Sequence, residues 1–309
     1  MISPSNPEEI RRAATLIRQG KLVVFPTETV YGLGANALDA AAVGRIFRVK
    51  GRPSTSPLIV HVQSSEAARQ WTTSWPPAAE ALASKLWPGP LTLVLPKRDS
   101  IPDIVTAGLP TVGLRVPSNP LALALLREAK VPVAAPSANR FTELSPTTAG
   151  HVLQSLGNDV DLILDGGPTQ VGIESTVVSL AGPIPLLLRP GMISKTQLEE
   201  VIGAVALAVT PANGSHPAPG MHPKHYSPHT ALFLYVPREG RGAYLWLTRP
   251  LAAASSVQMP ADPKPYAAAL YETLHALDDK GFDWIAVEPP PDTPEWAGIL
   301  DRLKRASAT

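Results

Sequence analysis

The chain contains no cysteine. Disulfide frameworks, thiolate zinc sites and cysteine nucleophiles are therefore excluded together. Aromatic residues are sparse, 6% of 309. Net charge is only +1, from 27 Lys+Arg against 26 Asp+Glu. No global basic field marks a nucleic-acid binder, although contact with RNA through a local patch stays open. No apolar run approaches the ~18 residues of a membrane span. The opening MISPSNPEEIRRAATLIRQG lacks the apolar core of a secretory signal. A cytoplasmic location without membrane association is expected. The Walker A pattern G-x-x-x-x-G-K-[ST] is also missing, so any phosphate must be held by another device.

What is present is an apolar share of 44%, enough for a sizeable core, and 35 prolines that punctuate apolar strands. The length is a soft prior for two domains. Asn6-Pro7-Glu8-Glu9 reads as an N-cap, a proline at N1 and an acidic first turn, closed by Gly20. KLVVFPT, PLIVHV, PLTLVLP, TVGLRVP, VDLILDGG, STVVSL and IPLLLRPG read as strands. DAAAVGRIFRVKG, PPAAEALASKLWPG, NPLALALLREAK and SKTQLEEVIG read as helices, and SPTTAGHVLQSLG as another with Ser145 as cap. This mixture predicts an α/β fold with a large twisted mixed sheet over residues 1–208. After a Pro-rich linker, 209–230, the strands ALFLYVP, GAYLWLT and FDWIAVE and two helices predict a small doubly wound, Rossmann-like α/β domain over 231–309.

The linker is unusual. From Thr210 to His229 it carries five prolines, Gly214 and Gly220, but also His216, His222, His225 and His229, with Lys224 and Tyr226. The histidine spacing fits no standard metal pattern, and no metal ligands are assigned. GLGANA (32–37) matches G-x-G-x-x-A but lacks the strand–turn–helix context of a dinucleotide site, so it reads as a turn between sheet and helix. FRVKGRPSTSPLIVH (47–61) is more informative. Lys50 and Arg52 end a helix, the hydroxyls of Ser54, Thr55 and Ser56 follow, and a strand ends at His61. Such a set suits a helix C-terminus, and equally a polyphosphate. VAAPSAN (133–139) places Ser137 and Asn139 in a turn after a strand, and DGGPTQVGIESTVV (165–178) adds glycines, Ser175 and Thr176. No nucleophile–His–acid triad is apparent. Cations, hydroxyls and amides suit the positioning and charge stabilisation of a phosphate-centred reaction.

FPTETVYGLGANA, KGRPSTSPLIVHV, LWPGPLTLVL, VGLRVP, APSAN, SPTTAGHV, DGG…GIESTVV and LLRPG, in that order, resemble the YrdC-like threonylcarbamoyl-AMP synthases. PGMHPKHYSPH followed by a small α/β unit is similar to their two-domain type. The resemblance covers nearly the whole chain. It implies formation of L-threonylcarbamoyladenylate and pyrophosphate from L-threonine, bicarbonate and ATP, with magnesium, for threonylcarbamoyl modification of tRNA by downstream transfer machinery. It implies that Thr29, His61, Arg115, Ala135 and Ser175 surround threonine, with Arg115 on its carboxylate. Arg52, Ser56, Thr111, Ser137, Asn139, Ser145, Arg189 and Tyr226 would contact ATP, with Lys50 beside the phosphates and Lys50 and Arg52 stabilising charge. The chain departs from the usual pattern at Ser56, Ala135 and Glu143. The resemblance also lets the linker be read as a lid that shields a carbamate intermediate from water. Two other readings stay open: an RNA-binding module without catalysis, and a carbamoyl-transfer maturation enzyme carrying a related domain.

Overall fold

The computed structural model describes residues 2–4, 6–208, 225–235 and 237–308. Among them the strands are β1 (Ile2–Pro4), β2 (Val23–Pro26), β3 (Tyr31–Asn36), β4 (Ile59–His61), β5 (Leu91–Pro96), β6 (Thr111–Arg115), β7 (Val133–Ala134), β8 (Leu162–Asp165), β9 (Thr176–Ser179), β10 (Leu186–Arg189), β11 (Ala206–Leu207), β12 (Leu232–Leu234), β13 (Gly242–Trp246), β14 (Ser255–Gln258) and β15 (Trp284–Val287). The first eleven form one mixed sheet in the order β1-β8-β2-β3-β7-β4-β6-β5-β9-β10-β11. The last four form a separate, wholly parallel sheet in the order β12-β15-β13-β14. The expected large mixed sheet with a second small α/β unit is what the chain adopts. No described helix is long and apolar enough to cross a membrane.

Strand alternation divides the large sheet into two chemically different faces. Val24, Leu33, Val60, Leu93 and Leu114 point to one face and join a core built with helices Ala40–Lys50, Pro77–Leu86, Ala149–Leu156 and Lys195–Ile202. On the other face, helices Pro7–Arg18 and Pro120–Ala129 cover Val23, Phe25, Val133, Leu162 and Leu164. That cover ends before β4 and β6. His61 and Arg115, one position on from Val60 and Leu114, emerge on this uncovered stretch.

Local signals explain several boundaries. Asn6 caps its helix by accepting from Glu9 N at 2.9 Å, and Ser194 and Gln197 form a reciprocal capping box. Two readings are corrected. Helix Ala149–Leu156 is capped by Thr148, not Ser145, which lies buried before the helix with its hydroxyl on Glu174. GLGANA is not a turn: Tyr31–Asn36 is strand β3, and a Cβ on Gly34 would stand 2.7 Å from the Phe25 ring. The glycines admit neighbouring side chains across the sheet rather than bending the chain. The short edge strands β1, β11 and β14 carry too little apolar pattern to be read from sequence; β14 (SSVQ) alternates half-buried and exposed residues.

The second sheet packs on helices Pro263–Asp278 and Ala297–Ala306. Their shared core includes Val30, Leu144 and Ile173 from the first unit, and Tyr226. The apolar interior of the small unit is thus continuous with the surface that borders the uncovered stretch of the large sheet. Of the linker, residues 209–224, with His216, His222, Lys224, Gly214 and Gly220, lie outside the described residues.

Candidate active site

A cleft opens over β3, β4 and β6, on the face left uncovered by the helices. Parallel pairing of β4 with β6 sets His61 directly beside Arg115. Ile59, one side-chain repeat earlier on the same face, lines the floor with Gly32. The turn after β2 brings Thr29 to the rim, and the turn after β7 brings Ala135 and Ser137. Ser175, before β9, and Arg189, ending β10, close the far side, and Arg52 and Tyr226 complete the lining. Nine of the residues singled out from sequence thus converge on one cleft: Thr29, Arg52, His61, Arg115 and Ala135, together with Ser137, Ser175, Arg189 and Tyr226.

The remaining five lie off the cleft wall. Lys50 is buried, and its ammonium donates to the carbonyls of Ser137, at 2.7 Å, and Asn139. Asn139 donates in turn to the carbonyls of Arg140 and Glu143, both at 2.9 Å. Lys50 and Asn139 therefore brace the loop that presents Ser137. Ser145 sits behind the wall, donating to Glu174 at 2.5 Å. Ser56 is part of a turn, its N–H on Pro53 O at 3.1 Å. Thr111 opens β6 and lines a small separate hollow with Thr92 and Gly113.

The charges fall into two sets. In the first, Arg115 Nη2 donates to Glu28 Oε1 at 2.8 Å and to Thr29 Oγ1 at 2.9 Å. Both members of that ion pair are only 4% exposed. Glu28 also accepts from Ser118 N at 3.0 Å. Among the described residues the Nε of Arg115 and the Nδ1 of His61 are buried without a partner, a condition seldom tolerated in a finished interior. Burial, reinforced by the charge of Arg115, pushes the pKa of His61 down to about 3, so it is neutral near pH 7.

In the second set, burial lowers the pKa of Arg52 to about 10, and the charge of Arg189 adds to that lowering. Arg52 donates to Pro57 O at 3.2 Å, while its Nε has no partner among the described residues. Arg189 grips Ser175, donating to its carbonyl at 3.0 and 3.1 Å and to its hydroxyl at 3.2 Å. Ser175 Oγ pairs with Thr92 Oγ1 at 2.8 Å. His225 and Tyr226 lie over this end, ring centroids 4.1 Å apart, and both are buried. Burial, with Arg52 and Lys50 adding repulsion, holds the pKa of His225 well below its usual range. Tyr226 adopts φ 62, left-handed backbone that a bulky residue rarely takes and that costs on the order of 1–3 kcal/mol. Its hydroxyl is buried without a partner among the described residues. Strain and an unsatisfied donor at one position mark a residue held for something other than packing.

Sequence reasoning missed Glu28 and Glu174, the two buried carboxylates of the site. Each stands inside a motif quoted for its neighbours, FPTETVY and GIESTVV. An acid in an otherwise apolar, hydroxyl-rich stretch was the available signal.

Comparison with known proteins bears on this arrangement. Residues 15–191 match the Sua5/YciO/YrdC family, described as "Telomere recombination". Residues 193–308 match the family described as "Threonylcarbamoyl-AMP synthase, C-terminal domain". The chain is 42% identical over 325 residues to a threonylcarbamoyl-AMP synthase of Bacillus subtilis, covering 98% of this chain and 94% of that protein. It is 40% identical over 319 residues to the enzyme of that name from Pyrococcus abyssi, covering 97% and 94%. The crystal structure of P. abyssi Sua5 complexed with L-threonine superposes with a TM-score of 0.93 at 37% identity, covering 99% of this chain and 97% of that one.

Proposed function

The chain belongs to the threonylcarbamoyl-AMP synthase family in its two-domain form, and from that premise we propose how its cleft divides the substrates. The reaction is nucleotidyl transfer: L-threonine, bicarbonate and ATP give L-threonylcarbamoyladenylate and pyrophosphate for tRNA modification. Threonine takes the end at Arg115, with Thr29, His61, Ala135 and Ser175 around it. The nucleotide takes the end at Arg52 and Arg189, with Ser137 and Tyr226. The observation that carries this division is the separation of cations. Arg115 is paired with Glu28, so it suits a mono-anionic carboxylate, whereas Arg52 and Arg189 lie close enough to repel each other and have Glu174 as the carboxylate among the lining residues at their end, an excess of positive charge that suits a polyanion.

In the proposed sequence the nitrogen lone pair of the neutral threonine amine attacks the carbon of CO2, one C=O π pair moves to oxygen and the nitrogen gives up a proton to water, leaving an N-carboxy-threonine; from bicarbonate the same product forms with loss of one water. A carbamate oxygen then attacks the α-phosphorus of ATP; the bond to the bridging oxygen breaks and pyrophosphate leaves with its electrons. Arg52 and Arg189 stabilise the charge that develops there. Lys50 acts one step back by holding the Ser137 loop, and Asn139 with it. Ser56, Thr111 and Ser145 are not among the residues lining the cleft, and Ser145 bears on the nucleotide end through Glu174. Among the described residues no group of three or more His, Asp or Glu is placed to hold a metal ion. Magnesium carried on the triphosphate would supply charge neutralisation beside Arg52 and Arg189.

We further propose that residues 1–208 carry the cleft and that His225 and Tyr226, at the end of the 209–230 segment, roof it against water, with 231–309 completing the wall. The product, a mixed anhydride, passes to the transfer machinery that acts on tRNA, and the enzyme works in the cytoplasm. The test is pyrophosphate release from ATP, measured with threonine and bicarbonate each omitted. Release is expected only with both, and release without threonine would refute the assignment.

A further inference from the structure

The small unit reaches the cleft through its last helix. Helix Ala297–Ala306 lies so close to the loop after Arg189 that a Cβ on Gly298 would stand 2.8 Å from Gly191 backbone atoms. On the other flank, a Cβ on Gly172, just before Glu174, would stand 2.3 Å from Ala267 O of helix Pro263–Asp278. Backbone thus meets backbone on both sides of Glu174, and the two units have little freedom to slide.

Between these contacts Arg302, 1% exposed, crosses the boundary. Its Nε donates to Glu174 Oε2 at 2.7 Å, its Nη2 to Glu174 O at 3.2 Å and its Nη1 to Pro190 O at 2.8 Å. The other carboxylate oxygen of Glu174 accepts from Ser145 Oγ at 2.5 Å, and Tyr271 donates to Glu174 at 3.2 Å. The guanidinium also lies 5.3 Å from the ring centroid of Tyr226. Burial opposes the charge of Arg302, but Tyr226, Glu174 and Asp301 more than offset it. Burial likewise raises Glu174, and Arg302 and Arg189 overcome that, leaving its pKa below the usual carboxylate value. The pair is therefore ionised. A buried pair of this kind is a weak source of stability, since well-packed apolar groups often do as well. What apolar groups cannot do is fix a carboxylate that touches Ser145 and a cation that faces Tyr226.

We propose that Arg302 is a positioning residue for the nucleotide end of the cleft: from the C-terminal unit it orients Glu174, through Glu174 the Ser145 segment, and directly the ring of Tyr226. The C-terminal unit is then a structural part of the active site, and its last helix sets ATP affinity. This rests on the assignment of the nucleotide end made above.

The experiment uses the full chain. ATP and threonine affinities are measured separately by calorimetry for wild type, Arg302→Gln, Arg302→Lys and Arg52→Ala, with circular dichroism to establish folding. Arg302→Gln removes the charge and the fork. It is expected to weaken ATP about tenfold, the scale of one charge-assisted contact, and to leave threonine within about twofold. Arg302→Lys keeps the charge without the fork and should stand between, at about threefold. Unchanged ATP affinity in the folded Gln variant, or equal loss for both ligands, overturns the proposal. Should the Gln variant not fold, the Lys variant decides by the same criterion. If Arg52→Ala keeps full ATP affinity, the nucleotide-end assignment itself fails; if it loses ATP while the Arg302 variants do not, only the positioning role fails.

Discussion

Replacing Arg115 by lysine tests the threonine end most directly. The arginine spends one terminal nitrogen on Glu28 and Thr29, at 2.8 and 2.9 Å, and keeps a buried Nε without a partner among the described residues. A fork can serve a resident carboxylate and an incoming one together; an ammonium has one centre, and the buried Glu28 will hold it. The substrate carboxylate then loses a charge-assisted hydrogen bond of about 1.5–3 kcal/mol. At 1.4 kcal/mol per factor of ten, KM for threonine should rise roughly 10- to 150-fold. Because Glu28 keeps a counter-charge, the fold should escape most of the ~3–5 kcal/mol expected when a buried pair loses one partner outright. The assay is pyrophosphate release at saturating ATP and bicarbonate with threonine varied, then the converse. KM for ATP should stay within twofold. A threonine KM unchanged in Arg115→Lys would refute the claim that this guanidinium holds the carboxylate.

Three other outcomes are expected. A site that hydrogen-bonds the substrate hydroxyl should turn over serine poorly, for want of the methyl, and 2-aminobutyrate worse, for want of the hydroxyl; comparing kcat/KM for the three settles this, and parity of 2-aminobutyrate with threonine would overturn the pocket. Arg52→Ala should lose about 2–4 kcal/mol of transition-state stabilisation in the same assay. Arg52 is only 7% exposed, with its guanidinium 5.9 Å from the ring centroid of Phe141, so a fall in Tm should accompany the loss, and an unchanged Tm with full activity would remove it from the site. Finally, burial lowers His61 to about 3 and His275 to about 4, against 6.5 in the unfolded chain. Between those values the unfolded state binds more protons, so stability is complete above pH 6.5 and falls as the pH drops toward 4. His275→Gln should flatten that slope in thermal melts taken from pH 7 to 4; an identical slope would show that His275 does not titrate this way.

Much of the fold was legible because its signals are local. Asn6, Ser194, the prolines at N1 and the apolar runs of β2, β5 and β8 act through the hydrogen bonds and periodicity of their own segments. Ordered motifs identified the family, and with it most residues of the cleft. Several features could not be read that way, since each depends on what another segment brings. Gly32 and Gly34 are strand residues because Phe25, Val133 and Ala135 need their space. Lys50 looks like a phosphate ligand beside Arg52, yet the carbonyls of Ser137 and Asn139, 87 and 89 positions away, capture its ammonium.

The sequence by itself determined the helices and strands, the family and the chemical inventory of the site, because residue type and short-range spacing set them. Only the tertiary structure decided which cations face the cleft and which are spent inside the wall. It also decided that Arg115 arrives already paired with Glu28, and that Glu174 is held from 128 positions away by Arg302. A buried charge takes its partner from whatever the sheet register and domain packing place within about 3 Å, and that distance in space has no counterpart in distance along the chain.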